Sequence, residues 1–256
     1  MDYLLYHDNS SVTGRQLVAQ LGIHGGTASP DRRPQRLIRW GNRSEVRFNA
    51  VGGVLNSKSA LNDASNKGRS LELLTAAGIN VPPAATRFEG ELLVGRTEAH
   101  VGGSGFFLVT SQHDFDLARD HLHCTHFMKY IPTAREYRVH VFQGRVIGTG
   151  EKLMGAGATS LHIRNVSTGW TFRYNNAERI PQDVQNIATM ASAALNLDFG
   201  AVDVLKSVND NFYVLEINTA PGLVQPVEGG RRREVTDGPM FQAYLGAFRN
   251  WLETAR

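Results

Sequence analysis

FGAVDVLKSVNDNFYVLEINTAPGL, from Phe199 to Leu223, is the stretch that decides the fold. Two runs rich in apolar and β-branched residues, Phe199 to Lys206 and Phe212 to Asn218, flank Asn209-Asp210, a pair that favours turns. A hairpin centred between those two residues sets Asp203 directly opposite Glu216. Alternate residues of a strand share a face, so Asn218 lies on the same side as Glu216. Opposed cross-strand residues have Cβ atoms about 4.5–5.5 Å apart, and like charges there repel. Two carboxylates meeting on otherwise apolar strands therefore require a cation. The hard oxygen donors of Asp203, Glu216 and Asn218 suit Mg²⁺ that shares its coordination shell with substrate phosphates. The competing reading is a solvent-facing acidic pair at a sheet edge, which needs no metal.

Composition bounds the rest. The chain has 256 residues, 41% of them apolar, enough to bury one large or two small cores. The single cysteine, Cys124, excludes a disulfide framework and fits a reducing compartment. Met1-Asp2-Tyr3 does not open a secretory signal, and no apolar run approaches the ~20 residues of a membrane span. The expectation is a soluble, cytoplasmic protein. Twenty-seven basic residues face 24 acidic ones, and only five of the basic ones are lysine. Arginine suits bidentate binding of carboxylates and phosphates, and the chain lacks a dense basic tail with aromatics. Anionic small molecules are thus favoured over nucleic acid.

Working outward, residues 1–66 open as a short β-α-β unit, with strands at Tyr3–Tyr6 and Arg36–Trp40 around a helix from Ser10 to Leu21. Ser57 to Ala77 reads as helix, stopped by Gly78 as the C′ residue and by Pro82-Pro83. Strands Glu91–Gly95 and Phe106–Thr110 flank Gly102-Gly103-Ser104-Gly105, and a polar helical segment spans His113–His121. Arg135–Phe142 and Arg145–Gly148 form a hairpin around Gln143-Gly144. Pro181–Leu195 is an amphipathic helix, and a last helix presents Phe241, Tyr244, Leu245, Phe248, Trp251 and Leu252 to its own sheet.

The Asp203…Glu216-x-Asn218 hairpin followed by Thr219-Ala220-Pro221-Gly222-Leu223 resembles the metal hairpin of ATP-grasp enzymes. The resemblance is to the glutathione-synthetase-like branch with the RimK-type glutamate ligases and D-alanine ligases. It covers most of the chain from about Leu61 onward and implies an α+β ATP-grasp fold. A small N-terminal α/β lobe at 1–66 would precede a small lobe with the glycine loop at 67–126 and a C-terminal lobe at 127–256. In the family, a hinge strand reads adenine through its backbone; Met128-Lys129-Tyr130-Ile131 resembles it, and Glu136 matches the acid on the ribose. Gly103, Ser104 and Gly105 resemble the loop that closes over the triphosphate. Lys67 fits the first phosphate lysine, and Arg96 stands where a second lysine is usual. Arg138, Lys152 and Arg164 are the candidate catalytic cations, and spacing does not choose between Lys152 and Arg164 for the transferring phosphate.

The resemblance implies an ATP-dependent C–N ligase joining a carboxylate to an amine through an acyl phosphate, on an amino acid or peptide. ATP and Mg²⁺, or Mn²⁺ in its place, are the expected cofactors, and a homodimer is a common assembly among such enzymes. The alternatives are a nucleotide-binding module that has lost ligation, encouraged by Arg96, and a phosphotransferase on the same fold. His121, His123, Cys124 and His126 form a cluster without a second Cys/His segment, so a polar helix end explains it better than zinc. Cys124 reads as an inert thiol. Arg231-Arg232-Arg233 is either an anchor for an anionic substrate or a solvated charge run.

Overall fold

The chain begins with β1 (Asp2–Tyr6), α1 (Val12–Leu21), β2 (His24–Gly26), β3 (Arg36–Trp40) and β4 (Val54–Leu55). All pairings in this sheet are parallel, in the order β2-β1-β3-β4. Ser11 starts α1 by accepting the Gly14 N–H, and Gly22 ends it at a φ of 65°. The structure is a computed structural model and describes residues 1–97, 105–164, 168–175, 180–223 and 238–254.

The helical stretch after Ser57 is two helices, α2 (Lys58–Ser65) and α3 (Lys67–Ala76), where the pattern predicts one. Asn66 breaks it, with φ −86° and ψ 107°, and its side chain accepts the Arg69 N–H. Asparagine competes with the backbone inside a helix and caps the start of one well. The break makes Lys67 the first residue of α3, which is how this lysine reaches the site. Gly78 takes φ 74° just past α3, as expected.

An antiparallel sheet follows, built from β5 (Leu93–Thr97), β6 (Phe106–Val109) and β7 (Cys124–Lys129) in the order β6-β5-β7, with α4 (Gln112–Asp120) against it. The polar helix end expected through His126 stops earlier. His123 turns the chain at φ 55°, and Cys124 starts the strand because it packs with Leu93, Val109 and Phe115.

The largest sheet contains β8 (Thr133–Phe142), β9 (Arg145–Met154), β10 (Trp170–Asn175), then, after α5 (Gln182–Ala194), β11 (Phe199–Ser207) and β12 (Phe212–Asn218). Its order is β10-β9-β8-β11-β12, all antiparallel. Gln143 and Gly144 both take positive φ, 46° and 73°, the twist a two-residue hairpin needs. Strand β9 runs six residues beyond the expected end and pairs with β10, a strand the sequence reading omits. The Trp170-x-Phe172-x-Tyr174 alternation is the signal that would have found it.

The two faces of this sheet have different fates. Val184, Ala188 and Ala191 of α5 pack on Val139, Val141, Val202, Val204, Val214 and Ile217. On the other face α6 (Pro239–Thr254) covers one end, packing Phe241, Tyr244 and Phe248 with Phe142, Phe199 and Trp40. Each such side chain contributes roughly 1.5–3 kcal/mol when fully buried. Trp40 stacks on Phe199 with centroids 5.5 Å apart, so the N-terminal sheet and the large sheet share this core. Asn56, fully buried at φ 60°, fastens the same join: its side chain donates to the Phe199 carbonyl and accepts the Asp198 and Phe199 N–H groups. The remaining part of that face carries charge.

Candidate active site

Three rows of residues cross the charged face. In the central row Arg138 on β8 pairs with Asp203 on β11, and Asp203 pairs with Glu216 on β12. In the next row His140 pairs with Ala201 and Ala201 with Asn218. On the other side, Lys152 of β9 reaches Glu136 of β8. The expected pairing of Asp203 with Glu216 is therefore present, but the turn is not where the sequence reading put it. Nearer the turn the partners are Val204–Val214, Leu205–Tyr213 and Lys206–Phe212, a register centred on Asn209. A bulge between the Asp203 and Val204 pairs makes Leu215 the extra residue and restores the expected register at the acids.

The carboxylates meet protein cations. Arg138 donates to both oxygens of Asp203, at 2.6 and 2.8 Å, and Lys152 reaches the same carboxylate at 3.3 Å and Glu136 more closely still. Burial alone would raise the Asp203 pKa, but Arg138 and Lys152 hold it well below the usual carboxylate range. Glu136 goes the other way: burial raises it, and the Asp203 charge adds to the effect against Lys152. Two neighbouring acids are thus pushed apart, one firmly ionised and the other easier to protonate. Glu216 accepts from Lys67 Nζ at 2.9 Å and stays 41% exposed, so solvent screens that pair.

Lys67 and Arg96 come from outside the large sheet and converge on Glu216. Burial lowers the pKa of each, Glu216 opposes that shift in both, and the Arg96 charge further lowers Lys67. Arg96 pairs with His126 across β5 and β7, and the His126 ring lies 3.0 Å from where Gly68 would carry a Cβ. Lys67, Arg96, Arg138 and Lys152 together bring four cations to three carboxylates, Glu136, Asp203 and Glu216. That excess suits an anionic ligand.

The other expected residues divide. Tyr130 and Ile131 lie between β7 and β8, where the chain passes from the small sheet to the large one. Backbone groups of Phe127 to Tyr130 are already engaged: the Phe127 carbonyl accepts from Ala85, Lys129 N–H donates to Pro83, and Tyr130 N–H to Leu92. The Lys129 ammonium pairs with Glu91 at 2.6 Å, away from the carboxylates. Arg164 lies with its guanidinium 4.8 Å over the Trp170 ring and donates to the Leu161 and Thr133 carbonyls. Its charge is still felt by Glu136. Gly105, at φ 67°, closes the base of the β5–β6 connection by accepting the Thr97 N–H. Gly103, Ser104 and Arg231-Arg232-Arg233 lie outside the described residues.

Sequence reasoning missed the aromatic wall. Phe172 stacks under Arg138, 4.8 Å from its guanidinium, and Tyr174 and Tyr244 flank His140. The Tyr244 hydroxyl lies 3.3 Å from His140 Nδ1, while His140 Nε2, fully buried, has no hydrogen-bond partner among the described residues. Among the described residues, no three His, Cys, Asp or Glu side chains are placed to hold a metal ion by themselves, and the expected metal-binding set includes the Asn218 amide. Its chemistry fits Mg²⁺: Asp203, Glu216 and Asn218 offer hard oxygens in adjoining rows of one sheet face, and each oxygen in a hydrogen bond keeps a further lone pair.

This architecture, a small antiparallel sheet and a large one gripping a charged row, is the ATP-grasp fold. Residues 112–229 match the family model of the RimK-like ATP-grasp domain. Its fold is similar to D-alanine–D-alanine ligase from Bacillus anthracis, at 14% identity and a TM-score of 0.67 over 99% of this chain and 95% of that one. It is also similar to ATP-grasp ligase PsnB complexed with minimal precursor (15% identity, TM-score 0.65, 96% and 99% covered). Macrocyclase MdnC from Microcystis aeruginosa MRC, bound with precursor peptide MdnA, matches at 12% identity and TM-score 0.63 over the whole of both chains. No curated protein matches the sequence. Among the described residues, no helix is long and apolar enough to cross a membrane.

Proposed function

We propose that the chain is an ATP-dependent carboxylate–amine ligase that forms an amide through an acyl phosphate, on an amino acid or peptide. The observation that carries this is the central row: Arg138, Asp203 and Glu216 in register on the large sheet, met by Lys67 and Arg96 from the other side. Lys67 and Arg96 face the phosphates of ATP, and Tyr130 and Ile131, at the passage between the sheets, border its adenine. Asp203, Glu216 and Asn218 would hold Mg²⁺, which when bound neutralises charge on the phosphates.

The chemistry asks for positioning and charge, and little covalent work from the protein. An oxygen of the substrate carboxylate attacks the γ-phosphorus, the bond to the β-phosphate oxygen breaks, and ADP leaves. The amine nitrogen then attacks the acyl carbon, the carbon–oxygen bond to phosphate breaks, and the nitrogen loses a proton to give the amide. Arg138, largely enclosed, and Lys152, buried, are both held toward their charged forms by Asp203 and fix the field in which these oxygens develop charge. Arg164 stands at the edge of this field. Three domains are proposed, 1–66, 67–126 and 127–256; the second boundary falls within β7 (Cys124–Lys129), so the small sheet runs a few residues past it.

The test is ADP release from Mg²⁺-ATP against pools of amino acids and short peptides, with Glu216→Ala alongside. Release that needs both an acid and an amine, and that disappears in the variant, is expected. Release with a stable phosphorylated product and no need for an amine would instead mark a phosphotransferase. Nucleotide binding without turnover on any pool would mark a binding module.

A further inference from the structure

The formal net charge of +3 belongs entirely to residues 1–56, which hold seven arginines, no lysine and four acids; the rest of the chain has as many acidic as basic side chains. Arg36 is buried and answered by Asp2. Arg32, Arg33, Arg43 and Arg47 are exposed, and among the described residues none of them forms an ion pair. Neutral groups hold three of them instead. Arg33 donates to the Asn49 carbonyl at 3.1 Å, Arg43 donates to Ser65 Oγ at 2.7 Å, and Arg47 lies 5.7 Å over the Phe48 ring. A guanidinium has five N–H donors, so each keeps most of its binding capacity.

These arginines lie on two strands of loop that run side by side, tied where Val51 N–H donates to Pro34, Gly52 N–H to Gln35, and Arg47 N–H to Ser29 Oγ. Arg43 stands at the end next to the charged row. Gly41 packs so closely on Ala220 that a Cβ there would lie 2.6 Å from the Ala220 Cβ, two residues past Asn218. Ser65, which Arg43 touches, is two residues before Lys67. The turn that projects Arg43 is built with buried polar groups. Arg39, 4% exposed, donates to the Asn42 and Ser44 carbonyls at 3.1 and 2.9 Å. Asn42, 2% exposed, donates to the Tyr6 and Thr27 carbonyls and accepts the Ser44 N–H. Burying a guanidinium on carbonyls alone is costly, and what it fixes here is the position of Arg43.

We propose that Arg43, with Arg47, Arg33 and Arg32 behind it, is a docking strip for an acidic peptide segment. The docking strip does not depend on the ligase reading. Carboxylates match guanidinium forks in pairs. A nucleic acid is disfavoured because Phe48, the aromatic ring beside the strip, is already covered by Arg47.

The experiment titrates fluorescein-labelled hexaglutamate, with hexaglutamine as control, into the full chain at low salt with saturating Mg²⁺-ADP, so that the nucleotide-binding cations are occupied. Hexaglutamate alone should bind. Arg43→Gln should weaken it about tenfold, the change expected from one charge-assisted contact. Replacing Arg32, Arg33, Arg43 and Arg47 together by Gln should abolish binding, with ADP affinity unchanged. Equal hexaglutamate affinity in wild type and the fourfold variant would overturn the proposal. So would an oligo-dT of matched charge that binds more tightly and is lost in the same variant. Peptide binding is read without turnover, so a chain that fails to bind ADP but keeps arginine-dependent peptide binding would refute the ligase and leave the strip standing.

Discussion

Arg138 and Asp203, 65 residues apart in sequence, lie directly opposite each other on neighbouring strands and share two hydrogen bonds of 2.6 and 2.8 Å. Both side chains are largely enclosed, at 15% and 4% exposure. A forked guanidinium–carboxylate pair in that setting fixes orientation as well as charge. Arg138→Ala leaves Asp203 with Lys152 alone and should lower unfolding free energy by about 3–5 kcal/mol, because a buried charge loses its main partner. Arg138→Ala/Asp203→Ala should recover a clear part of that loss in urea titrations. Strictly additive losses would show that the pair is not coupled.

His140 gives a pH signature. Burial, with the Arg138 charge nearby, pulls its imidazole down to about 3. An unfolded chain protonates histidine near pH ~6.5, so between these values the unfolded state binds the extra proton and stability rises with pH. Read downward, this costs the wild type up to ~1.4 kcal/mol per pH unit. His140→Phe keeps a ring between Tyr174 and Tyr244 and removes the proton. The stability difference between the two proteins should therefore move toward the variant by ~1.6 kcal/mol from pH 6.5 to pH 5. Asp203, whose pKa is depressed, adds its own acid loss only below its unfolded value of ~4, outside that window. A difference that stays constant with pH would count against a neutral buried imidazole.

Gly41 should tolerate no side chain. It sits at φ 69° with a prospective Cβ 2.6 Å from that of Ala220. Gly41→Ala is expected to destabilise by more than about 1 kcal/mol, from strain at positive φ plus the clash. Gly41→Ala/Ala220→Gly should recover the clash and not the strain. Thermal melts of the two variants separate the contributions, and no recovery at all would place the whole effect in the backbone.

Arg96 tests the proposed phosphate contact. Arg96→Ala should weaken ADP binding about tenfold or more in calorimetry, as loss of one charge-assisted contact does. Arg96→Lys should retain most of the affinity, since it keeps the charge and only the fork is lost. Unchanged affinity in Arg96→Ala would remove this residue from the nucleotide site.

The hairpin from Phe199 to Asn218 was legible because its information is local: strand-forming runs, a turn pair and alternation are all within reach of one another in the sequence. The same is true of β3, α5 and the apolar stripe of α6. Local reading failed where competition between short-range groups decided the outcome. Asn66 breaks a helix that Leu71, Leu74 and Ala77 would otherwise continue, and His123 releases Cys124 into a strand. Strand β10 went unseen although its aromatics alternate in plain view.

Lys67 and Arg96 entered only through the family resemblance, whereas the sequence by itself determined that Asp203 and Glu216 face each other with Asn218 one step along. It did so even though the turn lies at Asn209, because a bulge at Leu215 cancels the difference. Only the tertiary structure decided which cations answer which acids. Lys67 meets Glu216 across 149 residues and Arg138 meets Asp203 across 65. It also decided that the loop after β3 comes to rest against the end of the hairpin. The physical reason is that hydrogen-bonding and hydrophobic periodicity are written between near neighbours. Charge pairing between strands depends on sheet order, and that is settled only when the whole chain has packed.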